Sequence, residues 1–167
     1  MKRRRALLAT AVFLCLAPGT VAGLIPFWIS RWQFEPPFFG FEPVRWFGVL
    51  LIALAAPVLL ESFARFALEG LGTPAPVLPT QHLVVKGFYR YVRNPMYVAV
   101  VSIIIGQGLL LGNVALLVYA AVAWVAFFGF VLSYEEPKLR KTYGAEYQAY
   151  CARVRRWIPH VMPRIMP

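Results

Sequence analysis

The sequence predicts an all-α fold: a polytopic transmembrane helix bundle of about four spans, the last two a tight hairpin, followed by an amphipathic helix. Three observations predict it. Of 167 residues, 60% are hydrophobic and only 14% charged, an apolar excess that a soluble domain of this size cannot cover with polar surface. The apolar residues gather into four runs, near 6–29, 45–68, 97–111 and 114–134, against about 20 residues needed to cross a hydrocarbon core. The formal charge of +10, from 17 Lys and Arg against 7 Asp and Glu, is placed at the ends of those runs. Basic residues so placed follow topology and lipid headgroups, and no nucleic-acid partner is expected.

The first span follows Lys2, Arg3, Arg4 and Arg5. A basic start, a dozen apolar residues and the small-residue stretch Thr20-Val21-Ala22-Gly23 also fit a cleaved signal peptide, but the apolar run continues to Ile29, which favours a retained span. Between the first and second spans lies RWQFEPPFFGFEPVR, with Trp28, Trp32 and Trp46 where interfacial anchors belong. The second span carries Glu61 and Arg65 at i and i+4, a spacing that lets them pair on one face near its end. The third run is short and is separated from the fourth only by Gly112 and Asn113, the pattern of a helical hairpin. Counted over the loops, Lys and Arg place both termini and the loop 69–96 in the cytoplasm, in a multi-pass protein of the cell (inner) membrane. After the fourth span, Leu139, Tyr143, Tyr147, Tyr150 and Val154 recur at helical spacing among basic residues. This helix either lies on the membrane surface or packs its aromatic stripe on the rest of the protein; Gly144 bends it.

Cys15 and Cys151 lack framework spacing, and with His82 and His160 they form no metal-ligand cluster, so free thiols and no metal are expected. Polar chemistry concentrates in QHLVVKGFYRYVRNPMY at 81–97 and SYEEP at 133–137. Asn94 is placed as an N-cap and Pro95 as a first helical residue. Such a helix start flanked by Arg90 and Arg93 suits an anion. Glu135 and Glu136 end a membrane helix at its negative dipole end and repel one another, so they call for something cationic, unless Pro137 opens a further helix whose N-terminus Glu136 favours. A ligand with an anionic and a cationic end satisfies both segments, S-adenosylmethionine among others.

At these residues the chain resembles the integral membrane methyltransferases that include isoprenylcysteine carboxyl methyltransferase and the phospholipid methyltransferases. The resemblance covers roughly 73–159 through GFYRYVRNPMY, an apolar hairpin, then YEEPKLRKTYGAEYQAY and Ile158-Pro159. It divides the chain into N-terminal helices (1–72), a methyltransferase-like region (73–159) and a tail (160–167). It implies an S-adenosylmethionine-dependent methyltransferase acting on a lipid or lipidated small molecule, either an isoprenylcysteine-like carboxylate or a phospholipid amine. Carried over residue by residue, it implicates Gln81, His82, Leu83, Val84, Tyr89, Asn94, Pro95, Met96, Tyr97 and Glu135 in holding S-adenosylmethionine.

Two positions depart from the pattern. The usual RHP is Arg93-Asn94-Pro95, and the arginine that meets a substrate carboxylate aligns with Val131, leaving Arg90, Arg140 or Lys141 to replace it. Gly106-Gln107-Gly108 echoes the GxG of the phospholipid enzymes, although small residues serve close helix packing equally well. No catalytic residue is assigned; Glu136 and His82 are candidates to take a proton from an amine acceptor. The alternatives are a membrane NADPH-dependent reductase of the sterol reductase type and a non-catalytic membrane scaffold.

Overall fold

A computed structural model describes residues 2–68 and 82–159; Gln81 and His160 fall outside the described residues. Among these, every regular element is helical: α1 (Lys2–Gly19), α2 (Ile25–Ser30), α3 (Pro43–Leu68), α4 (Pro95–Leu111), α5 (Val114–Phe130) and α6 (Glu136–Arg153). π-turns at Thr20–Leu24 and Val131–Glu135 join α1 to α2 and α5 to α6. Three helices are long and apolar enough to cross a membrane, Thr10–Ser30, Pro43–Phe66 and Val114–Arg153, and Pro95–Leu111 is a shorter apolar helix. At 17 residues α4 spans about 26 Å, slightly less than a hydrocarbon core of about 30 Å. Lipid, not water, is the matching solvent: Val114, Val118, Val122 and Val125 form an outward stripe on α5, each more than half exposed.

The π-turns follow from proline. At Pro26 the chain lacks the N–H that would bond to Ala22, and the N–H of Ile25 reaches back five residues to Thr20 O, leaving the Val21 and Ala22 carbonyls without their α-helical donors. Both find donors across the bundle: Gln107 Nε2 donates to Ala22 O at 2.7 Å and the Tyr119 hydroxyl to Val21 O at 2.9 Å. Gln107 is thus an interhelical bond. Its flanking glycines pack close: a Cβ on Gly106 would stand 2.8 Å from Gly48 O on α3, and one on Gly108 would stand 2.6 Å from Leu117 on α5. The glycine pair thus serves close helix packing.

The core lies where α3, α4 and α5 meet, around Leu59, Phe63, Val100 and Ile104, with Phe13, Leu14, Val21 and Ala22 of the first helix against it. At one end of the bundle the hairpin turns as expected. Gly112 takes φ +73° and caps α4, and Asn113 Oδ1 accepts the Leu116 N–H at 3.0 Å. The loop after α2 is clamped onto this turn: Glu35 N–H donates to Leu111 O at 2.8 Å, its carboxylate accepts from Asn113 Nδ2, and Arg45 reaches Leu110 O and Glu35 O, each at 2.6 Å. Trp28, Trp32 and Trp46 are all exposed in this part of the chain, as an interfacial girdle requires.

At the opposite end α6 folds back over residues 83–94. Gly144 adopts φ +51°, ψ −120° and breaks the helix, as its position predicts. Tyr147, Tyr150 and Val154 are buried with Leu83, Val85 and Leu139. Of the two placements open to the aromatic stripe, packing on the protein is the one observed.

Candidate functional site

The candidate site is built at the end of the bundle where α3 finishes, α4 begins and α5 passes into α6. Pro95 starts α4 as expected, and Asn94 is its N-cap residue. The cap itself is a correction. Asn94 makes no side-chain bond to the helix N–H groups; its Nδ2 donates instead to Arg156 O at 3.1 Å, because the chain after α6 is packed against this start. The backbone confirms that docking, with Arg93 N–H bonded to Arg155 O at 2.9 Å and the Tyr150 hydroxyl to Tyr89 O at 2.7 Å.

Glu135 and Glu136 part company. Glu136, with its side chain 7% exposed, sits in an arginine cluster: Arg156 grips it with two bonds of 2.6 and 3.0 Å, and Arg93 and Arg140 stand 3.3 and 4.0 Å away. The same hydrogen bonds raise the Arg156 guanidinium further above its ordinary pKa. Glu135 receives the Tyr97 hydroxyl at 2.8 Å. Tyr97 in turn lies against Phe127, ring centres 4.8 Å apart. The expectation that the acidic pair demands cations is therefore met within the protein for Glu136, whereas Glu135 has a neutral phenol as its partner.

Tyr89 completes this group from the Gly87–Arg90 turn. It is 5% exposed, and its hydroxyl is buried without a hydrogen-bond partner among the described residues. Burial, and then the negative charge of Glu135, push that hydroxyl well above the usual tyrosine range, so it stays a neutral donor. An unmet buried hydroxyl costs roughly 1–3 kcal/mol, a cost that an acceptor brought against it would recover.

The residues singled out from the sequence divide accordingly. Tyr89, Tyr97 and Glu135 come together. Val84 and Pro95 are buried, His82 is exposed, and Met96 packs against the main core. Leu83 is committed to the cluster beneath α6, and Asn94 to the tail. Gln81 lies outside the described residues. Sequence reasoning missed Arg156 and Trp157. Trp157 packs on Trp124 and Phe128 with ring centres 4.6 and 5.8 Å apart and closes a groove of about 580 Å³ between α4 and α5, lined by Val98, Ser102, Ile105, Leu117 and Trp124 among others. Its position past the last apolar run carried no periodic signal. The described residues contain no group of three His, Cys, Asp or Glu able to hold a metal.

A helical, multi-pass membrane protein with an acid–tyrosine site at one end of its hairpin is the class that fold and site define. The family model for phospholipid methyltransferases matches residues 44–146, more than half of the chain, and the chain belongs to that family. It is also similar to the protein-S-isoprenylcysteine O-methyltransferase of Schizosaccharomyces pombe, 38% identical over 78 residues. That alignment covers 46% of this chain and 33% of the relative, so the chain spans about a third of the curated relative it matches. Both matches are methyltransferases; the reductase and scaffold alternatives gain no support from them.

Proposed function

We propose that the protein is an integral membrane methyltransferase that uses S-adenosylmethionine as methyl donor and an amphiphilic lipid or lipidated molecule as acceptor. The observation that carries this reading is the group Tyr89, Tyr97 and Glu135: among the described residues, a carboxylate without a cationic partner between two tyrosines, one with an unmet hydroxyl. An adenosyl sulfonium with an α-ammonium fits that donor set: Glu135 balances positive charge and the tyrosine rings offer their faces. When bound, this donor supplies an electrophilic methyl group whose transfer breaks the carbon–sulfur bond and discharges the sulfonium. The residues around it position and desolvate. Tyr97 and Phe127 wall the site toward the bilayer, and the α4–α5 groove offers the acceptor's apolar chain a path along the membrane.

An amine acceptor is favoured over a carboxylate. Val131 is 1% exposed and supplies no charge where the resemblance expects an arginine, while Arg93 and Arg156 are occupied by Glu136. That pairing also withdraws Glu136 from service as a base. The positive-inside count orients the site, both termini and the loop 69–96 toward the cytoplasm.

Calorimetric binding of S-adenosylmethionine to the purified protein tests the reading. Glu135→Ala and Tyr97→Phe are expected to weaken binding roughly tenfold or more, the loss of a charge-assisted contact. No binding to the intact protein would sink the proposal. Transfer of labelled methyl into a lipid extract, with none into a farnesylcysteine analogue, would identify the amine class; the reverse would identify the carboxylate.

A further inference from the structure

Glu61 is more than half of a self-neutralised pair. Its Oε1 accepts from Arg65 Nε at 2.7 Å, and the two side chains remain 29% and 37% exposed. A pair that merely neutralised itself near a membrane surface would turn toward water. Glu61 instead turns its other oxygen toward the Phe88 N–H, 3.5 Å away. Gly87 lies directly on this carboxylate: a Cβ there would fall on Glu61 Oε1, and φ is +59°. One helical turn further on, Phe66 meets the ring of Tyr89 edge-on at 5.5 Å. α3 therefore grips the Gly87–Arg90 turn at two points, at Gly87–Phe88 and at the ring of Tyr89, whose hydroxyl is buried and unmet. The charge of Glu61 is itself felt at that hydroxyl, after those of Glu135, Tyr150 and Tyr97.

We propose that Glu61 is a positioning residue of the site: by bracing the Gly87–Arg90 turn it fixes Tyr89 in the geometry that receives the methyl donor. The donor half of this statement rests on the function proposed above; the bracing half rests on the contacts alone.

The test uses the full chain in detergent or nanodiscs, with two readouts: affinity for S-adenosylmethionine, and amide hydrogen exchange of residues 86–91 without ligand. Glu61→Ala is expected to speed exchange in 86–91 at least tenfold and to weaken binding roughly tenfold. Glu61→Gln keeps the shape and one acceptor oxygen, and should weaken binding about threefold. In turnover, KM for the donor should rise while kcat changes less than about twofold, a split that general destabilisation does not produce. Gly87→Ala forces a methyl group against the carboxylate, so adding Glu61→Ala to it should recover part of the lost affinity.

Unchanged exchange in 86–91 on Glu61→Ala would overturn the proposal, as would a double variant worse than Gly87→Ala alone. Faster exchange at all amides together would also overturn it, since that is global unfolding. If exchange responds as expected but the unaltered protein binds no donor, the bracing is supported and the methyl-donor reading fails separately.

Discussion

Neighbours in sequence, Glu135 and Glu136 have unlike surroundings, and single substitutions should separate them. Removing the Glu136 carboxylate leaves Arg93 and Arg156 facing one another with no counter-charge. Breaking a buried ion pair from one side costs about 3 kcal/mol or more, so Glu136→Ala should lower the unfolding midpoint in detergent by several degrees. Glu42, in the exposed pair with Arg45 at 3.0 Å and itself 68% exposed, provides the contrast. Glu42→Ala should change stability by less than about 1 kcal/mol in the same measurement. An equal response from the two would contradict the assignment of Glu136 as the electrostatic centre of the docked tail. Which glutamate would find arginines was not legible in the sequence. The charges were visible; the register that sends one side chain to Arg156 and the other to Tyr97 is set by the π-turn.

At the scale of elements, the seams between helices depend on a few small or polar residues. Gly48 and Gly106 let α3 and α4 touch backbone to backbone, and Gly48→Leu would place a side chain where Gly106 O and Leu110 N stand 2.6 and 2.7 Å from a Cβ. Overpacking of this kind costs about 1–3 kcal/mol or more. Gln107→Leu preserves volume but leaves the Ala22 carbonyl unmet inside the bundle, a cost of about 1–2 kcal/mol. Thermal unfolding with Gln107→Leu and with the control Val118→Leu on the lipid-facing stripe should show a loss in the first and almost none in the second. The spans themselves were legible, since apolar length and basic flanks are properties of the local chain. The hairpin was legible for the same reason, Gly112 and Asn113 being the turn residues its geometry needs. The π-turns were not: each requires a proline and, for the first, carbonyl partners as distant in sequence as Gln107 and Tyr119.

For the whole molecule, the two ends of the bundle have separate tasks. One end is a clamp of Glu35, Arg45 and Asn113 around the hairpin turn; the other gathers Tyr89, Tyr97, Glu135 and the docked tail. The orientation proposed from charge puts them on opposite sides of the membrane, and labelling tests it directly. In a Cys15→Ser, Cys151→Ser background, a cysteine at the fully exposed Phe39 should react with a membrane-impermeant maleimide in intact cells. One at the exposed His82 should react only after permeabilisation, and the reverse pattern would invert the topology. Of the site, Tyr97 and Glu135 stood out in sequence because the resemblance carried them there. Glu61 was visible as a charge in a span, but its reach to Gly87 depends on how α3 lies across the start of α4, which no local pattern encodes.

The π-turn at Val131–Glu135 has a further consequence. The helical stretch from Val114 to Arg153 serves two masters: its first half must keep phase with α4 and lipid, its second with Arg93 and the docked tail. One residue of an α-helix corresponds to about 100° of rotation, and the single wide turn inserts that angle between the halves. Chain length in this stretch is therefore as constrained as composition. Deleting Ser133, an exposed residue whose side chain bonds to Gly129 O at 2.7 Å, would remove little by way of contacts, yet it would swing both glutamates off their partners like a gear slipped by one tooth.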